Sequence, residues 1–149
     1  NPDIHASMSL CLGPCEVSVA EMVSAYTTFV NNGIRTAPLF VSRIEDNEGN
    51  VITAFQPRMN EVISAESAYK MIVLLKGVVD GGTAGRLRYK YNFTGEIGGK
   101  TGTTNAAGYC LVLYSQNKKG QDIISIVYKG DSRSSMYTLM NEILSTFAK

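Results

Sequence analysis

Ile97-Gly98-Gly99-Lys100-Thr101-Gly102-Thr103-Thr104, with the apolar run Gly108-Tyr109-Cys110-Leu111-Val112-Leu113-Tyr114-Ser115 behind it, decides how this chain is read. The second run reads as a buried strand. Asn117-Lys118-Lys119-Gly120 is turn chemistry, and Ile123-Ile124-Ser125-Ile126-Val127-Tyr128 reads as the partner strand. Beyond it Met136, Leu139, Met140, Ile143 and Leu144 recur at helical spacing, which predicts a closing helix over 134–147. The chain thus ends as strand, strand, strand, helix.

Two chemistries compete for Gly99-Lys100-Thr101-Gly102-Thr103. A phosphate-binding loop needs Gly, four residues, then Gly-Lys-Ser/Thr opening a helix, so that backbone N–H groups enclose the phosphates. Gly95 stands one residue too close to Gly99, and Gly102 and Gly108 make the stretch after Lys100 poor helix sequence. The alternative is that Lys100-Thr101-Gly102 resembles the Lys-Thr-Gly element of penicillin-recognising serine enzymes, an extended strand beside a nucleophile. Such a strand sets a lysine ammonium and threonine hydroxyls where they bind a carboxylate, and turns backbone N–H groups toward a reacting carbonyl. Gly102 would leave its surface bare for close approach of a ligand.

Upstream, Ser18-Val19-Ala20-Glu21 has the capping-box pattern, Met22, Val23, Tyr26, Phe29 and Val30 come next at helical spacing, and Asn32-Gly33 supplies a left-handed stop. This predicts a helix over about 18–32. Leu39–Ile44 and Val51–Phe55 flank the turn Asp46-Asn47-Glu48-Gly49 and read as a hairpin. Ser64 caps a second predicted helix through Val79, with Tyr69, Ile72, Leu75 and Val79 on one face; Asp80-Gly81-Gly82 ends it, and Gly81 to Gly85 reads as a mobile loop.

Composition narrows the function classes. Apolar residues form 44% and charged residues 18% of 149, which fits one globular domain and argues against a disordered or coiled-coil chain. A formal charge of +1 provides no bulk field to gather nucleic acid or anionic lipid. Arg86-Leu87-Arg88-Tyr89-Lys90-Tyr91 interleaves basic and aromatic residues but is short and alternates, so it reads as a solvated strand face. No apolar run approaches the ~20 residues that span a bilayer. Cys11, Cys15 and Cys110 lack neighbouring histidines for a zinc site and read as small buried thiols, although a tight turn of their loop could bring Cys11 and Cys15 together. His5, the single histidine, reads as a solvated loop residue and gives no basis for a histidine-dependent triad.

The stretch Leu12-Gly13-Pro14-Cys15-Glu16-Val17-Ser18 through Phe29, then Asn32-Gly33, then Gly98 to Asn105, resembles the transpeptidase domain of class A penicillin-binding proteins over roughly two-thirds of the chain. From Ala106 onward, Ala107 to Val112 and Ile124 to Val127 are more similar to D-alanyl-D-alanine carboxypeptidases of the low-molecular-mass group. A tryptophan-containing strand usual in class A enzymes is absent. This change points to a sequence join near 105–106.

The resemblance implies an α+β fold, an antiparallel sheet packed with helices, and acyl transfer from a peptidoglycan stem peptide, with β-lactams as mimics. It implies no cofactor or metal. Lys100 and Thr101 would bind the substrate carboxylate, Gly102 would leave room for it, and Thr103 would add a hydroxyl and one oxyanion-hole donor. The family's nucleophile lies in S-x-x-K upstream, with S-x-N between it and Lys-Thr-Gly. Ser67-Ala68-Tyr69-Lys70 and Ser115-Gln116-Asn117 fit these spacings, but in the wrong places: Ser67 in the first turn of a later helix, Ser115 after the Lys-Thr-Gly strand. The chain is therefore read as a partial, C-terminal piece of a single transpeptidase domain, without the nucleophile; the alternative is a catalytically silent or complementing folded module, a chimera of transpeptidase and D,D-carboxypeptidase sequences. Its partner would be the missing N-terminal half, and the parent protein would lie on the outer face of the cytoplasmic membrane.

Overall fold

The computed structural model describes residues 4–13 and 15–148. Its centre is an antiparallel sheet in the order β5-β6-β7, formed by Ile97–Thr104, Gly108–Gln116 and Asp122–Gly130. Lys100 pairs with Val112 and Thr101 with Leu111; across the next ladder Leu111 pairs with Val127 and Leu113 with Ser125. Side chains alternate between the two faces, so each cross-strand pair shares one.

Both faces are covered. Leu111, Leu113, Val127 and Ile97 pack against Met136, Tyr137, Met140 and Leu144 of α4 (Arg133–Phe147), and Val79, Ala84 and Leu87 complete this core. On the other face Val112 packs with Tyr26 of α1 (Val19–Val30) and Leu75 of α2 (Ala65–Asp80). Helix, sheet and a helix pair thus form the α+β arrangement expected from the sequence. Gly98 and Gly99 permit it. A Cβ on Gly98 would lie 3.0 Å from the Lys76 backbone nitrogen of α2, and one on Gly99 would lie 2.0 Å from the Val112 carbonyl oxygen.

The caps form at the residues that signalled them. Ser18 Oγ accepts from the Glu21 N–H at 3.2 Å while the Glu21 carboxylate accepts from the Ser18 N–H at 2.8 Å. Ser64 accepts from the Ser67 N–H as expected, whereas the last helix starts at Arg133, ahead of the predicted 134, on a cap not picked out in the sequence, Ser132, which accepts from the Ser135 N–H. After α1, Asn32 and Gly33 adopt φ of 51° and 91°, and a Cβ at Gly33 would fall 1.9 Å from the Ile63 carbonyl oxygen. The hairpin is shorter than expected: β2 is Arg43–Glu45 and β3 Val51–Ala54, with Leu39–Ser42 outside it. The Asp46 carboxylate organises its turn, accepting from the Glu48 and Asn50 N–H groups at 2.9 and 2.8 Å.

Several expectations are corrected. β1 (Ile34–Thr36) pairs with β4 (Met59–Glu61), a short ladder that three-residue strands do not announce. Tyr69 is 69% exposed, and the small Ala68 takes its place on the buried face of α2. In α4, Leu139 points outward and Tyr137 is buried. Arg86-Leu87-Arg88-Tyr89 is a helical turn, α3, and not a strand: Leu87 is fully buried, and Arg88 bonds Asp80 Oδ1 and the Phe93 and Gly95 carbonyl oxygens. Residues 81–85 are anchored. The Ala84 N–H donates to the Val78 carbonyl oxygen, Ala84 is fully buried, and the Thr83 carbonyl oxygen accepts from Tyr137. Nor are the thiols buried, since Cys11 is exposed and Cys15 and Cys110 are half-buried.

Candidate active-site cleft

β5 is an edge strand, with β6 on one side and no strand on the other among the described residues. Half of its backbone N–H and C=O groups therefore face away from the ladder. Beside it lies a cavity of about 180 Å³ lined by Lys100, Thr101, Gly102 and Thr103 of β5, Thr83 of the α2–α3 turn, and Arg133 and Tyr137 of α4. All four residues singled out in the sequence meet here. Gly99-Lys100-Thr101 is extended and opens no helix, which removes the phosphate-loop reading.

Alternation divides the four. Thr101 and Thr103 pair with Leu111 and Tyr109, on the α4 side; Lys100 pairs with Val112, on the α1 and α2 side. The Lys100 ammonium folds back to donate to the Thr101 carbonyl oxygen. The cation on the threonine side is Arg133, in the first turn of α4, exposed and without an ion-pair partner among the described residues. No acidic residue lines the cavity, and the positive end of a helix dipole adds to the field of the two cations.

The threonines are held from below. Thr83 Oγ1 and Thr101 Oγ1 share a hydrogen bond of 2.6 Å, and the Tyr137 hydroxyl donates to the Thr83 carbonyl oxygen at 2.6 Å. Tyr137 is 1% exposed and the Arg86 guanidinium lies 5.9 Å from its ring centre. Burial pushes the Tyr137 phenol above its ordinary pKa, with Arg133 and Arg86 pulling the other way. It is therefore a proton donor at neutral pH. Gly102 is the bare spot: a Cβ there would meet nothing within 4 Å, so packing gives no reason for the glycine.

Thr83, Arg133 and Tyr137 are not singled out by the sequence, because residues about 20–35 positions from a motif carry no local signal of meeting it. Ser67 and Ser115 are elsewhere. Ser67 lies at the start of α2, bonded to Ser64 Oγ; the helix axis alone separates it from Val79, near the cleft, by about 18 Å. Lys70 pairs with Glu66 at 2.6 Å, not with Ser67. Ser115 is fully buried at the far end of β6, opposite Ile97. No serine lines the cleft among the described residues.

A helix-covered antiparallel sheet thus carries a cationic, hydroxyl-lined cleft along its Lys-Thr-Gly edge strand. The model of the penicillin-binding protein transpeptidase domain matches residues 4–142, and the chain belongs to that family. Penicillin-binding protein 1A of Clostridium novyi is 31% identical over 153 residues, covering 95% of this chain and 17% of that protein. Penicillin-binding protein 1F of Bacillus subtilis is 35% identical over 103 residues, covering 68% of this chain and 14% of its own length. The crystal structure of penicillin-binding protein 1A from Haemophilus influenzae superposes with a TM-score of 0.76 at 22% identity, over 97% of this chain and 29% of that one. Penicillin-binding protein 2B of Streptococcus pneumoniae gives 0.68 at 25% identity, over 88% of this chain and 23% of that one. The chain thus spans less than a fifth of the length of the two relatives and less than a third of the two structures. Among the described residues no helix is long and apolar enough to cross a membrane.

Proposed function

We propose that this chain is the C-terminal, substrate-binding part of a peptidoglycan D,D-transpeptidase domain, and that it holds the terminal carboxylate of an acyl-D-Ala-D-Ala stem peptide. The observation that carries this is the cleft beside β5, which combines threonine hydroxyls, two cations and an unobstructed glycine with no acidic residue. Thr101, Thr103 and Arg133 bind the carboxylate from one side, Lys100 contributes from the other, and Gly102 admits the ligand backbone. Tyr137 acts through Thr83 to orient the Thr101 hydroxyl.

In the full reaction a serine Oγ attacks the carbonyl carbon of the D-Ala-D-Ala amide, the C–N bond breaks, and D-alanine leaves carrying the serine's proton. The acyl group then passes to an amine, forming a crosslink, or to water. Outward backbone N–H groups of β5 stabilise the oxyanion. The nucleophile comes from the N-terminal half of the domain, and by itself this chain binds without turnover; the distance of Ser67 from the cleft supports that division. The parent protein would work on the outer face of the cytoplasmic membrane. A join near 105–106 belongs to the same proposal, resting on the change of resemblance after Asn105; the transpeptidase match that runs unbroken over residues 4–142 weighs against it, and a genomic reading frame continuous through 100–149 would count against an artificial one.

Intact-mass analysis after incubation with a penicillin tests the division of labour. The chain alone should keep its mass. A single adduct that disappears in Ser67→Ala would make this chain a complete enzyme and overturn the reading.

A further inference from the structure

A second concavity, of about 560 Å³, opens at the other end of the sheet, between the α3–β5 connection, the β6–β7 turn and the last turns of α4. Its lining includes Asn92, Thr94, Asn141 and Ser145, with Tyr91 and Phe93 between them. None of those four polar side chains makes a hydrogen bond among the described residues, although Asn141 and Ser145 are half-buried. Asn141 and Ser145 lie four apart on α4 and so share one face of the helix. Lys118 is the single charged residue of the lining.

The chemistry of this group is specific. Each Asn side chain offers paired donors and an acceptor, and each Ser or Thr hydroxyl does both, which matches a ligand whose own groups both donate and accept. Unpartnered polar groups at the edge of an apolar floor fix orientation, while half-buried aromatic rings supply area. A cationic ligand would meet Lys118 and no acidic residue, and a strongly anionic one would find a single lysine in the lining. A sugar ring, with hydroxyls around its rim and C–H groups on its faces, meets both requirements.

We propose that this concavity is a binding site for a neutral oligosaccharide, separate from the β5 cleft. Asn141 and Ser145 on one wall and Asn92 and Thr94 on the other bond its hydroxyl or amide groups, and Tyr91 and Phe93 carry its apolar face.

The test is an NMR titration of the chain with an uncharged chitotriose, tracking the Asn92 and Asn141 side-chain amides. These should shift with saturation, with the Lys100–Thr103 amides unmoved. Asn141→Ala and Ser145→Ala each replace a half-buried helical side chain by a good helix former, so folding should persist; each should weaken binding about fivefold, as the loss of one hydrogen bond does. Lys100→Ala should leave saccharide affinity unchanged. Affinity weaker than about 10 mM, shifts centred on Lys100–Thr103, or equal affinity in the Asn141→Ala/Ser145→Ala double variant would each overturn the proposal. So would a neutral alanine peptide amide that moves the same resonances when the saccharide does not.

Discussion

Gly99→Ala and Gly102→Ala add the same methyl group to one strand three residues apart, and the structure gives them opposite consequences. At Gly99 the new Cβ would lie 2.0 Å from the Val112 carbonyl oxygen and 2.5 Å from a Leu113 methyl carbon. The oxygen belongs to the paired strand, so relief requires β5 and β6 to separate where the ladder is buried. Overpacking costs typically ~1–3 kcal/mol, and a backbone obstacle places this case at or above ~3 kcal/mol. At Gly102 the Cβ meets nothing within 4 Å. Stability should therefore rise by up to ~1 kcal/mol, because alanine has less unfolded-state freedom to lose. Urea denaturation of both variants at equal m-value measures the difference. Ligand binding should run the other way: Gly102→Ala keeps its fold and loses affinity for an acyl-D-Ala-D-Ala ligand. A Gly99→Ala variant within ~1 kcal/mol of the parent, or a Gly102→Ala variant as unstable as Gly99→Ala, would refute the reasoning.

Tyr137→Phe removes the donor to the Thr83 carbonyl oxygen and should cost ~1–2 kcal/mol in thermal or urea unfolding, while weakening ligand binding through a less ordered Thr101. Ser125 Oγ is buried without a hydrogen-bond partner, so Ser125→Ala should be neutral or stabilising by calorimetry, against the usual penalty for an altered core. Burial pushes the Tyr26 phenol up to about 12. Its folded-state pKa exceeds the unfolded value of about 10, so its contribution is complete below pH ~10 and is lost as pH rises toward 12. Tyr26→Phe should flatten the alkaline fall in stability measured across that window. Ser18→Ala breaks a capping box and should cost about 1 kcal/mol.

Local signals carry much of the fold. Ser18, Ser64 and the left-handed Asn32-Gly33 each mark an element boundary through bonds within a few residues, and the three C-terminal strands have clear apolar runs bounded by turns. The features that escape the sequence are set at a distance. β1 and β4 pair across a long stretch of chain with three residues each, and α3 depends on Leu87 finding the α4 core and Arg88 finding Asp80. The alternation of Arg86 to Tyr91 misleads because a single helical turn is too short to show its period. Lys100, Thr101, Gly102 and Thr103 are legible as a group through their motif. Arg133 is not, and it is the cation on the threonine side, because pairing with β6 sends Lys100 to the other face.

The most direct test of the cleft is a 15N NMR titration with N-acetyl-D-Ala-D-Ala and with its C-terminal amide, in the parent chain and in Arg133→Gln. The expected result is saturable shifts at Thr101, Gly102 and Thr103 with the carboxylate, weakened about tenfold in Arg133→Gln and by loss of the charge in the amide, as removal of one charge-assisted contact requires. Equal binding of acid and amide, or shifts that bypass β5, would contradict the assignment of this strand as a carboxylate site.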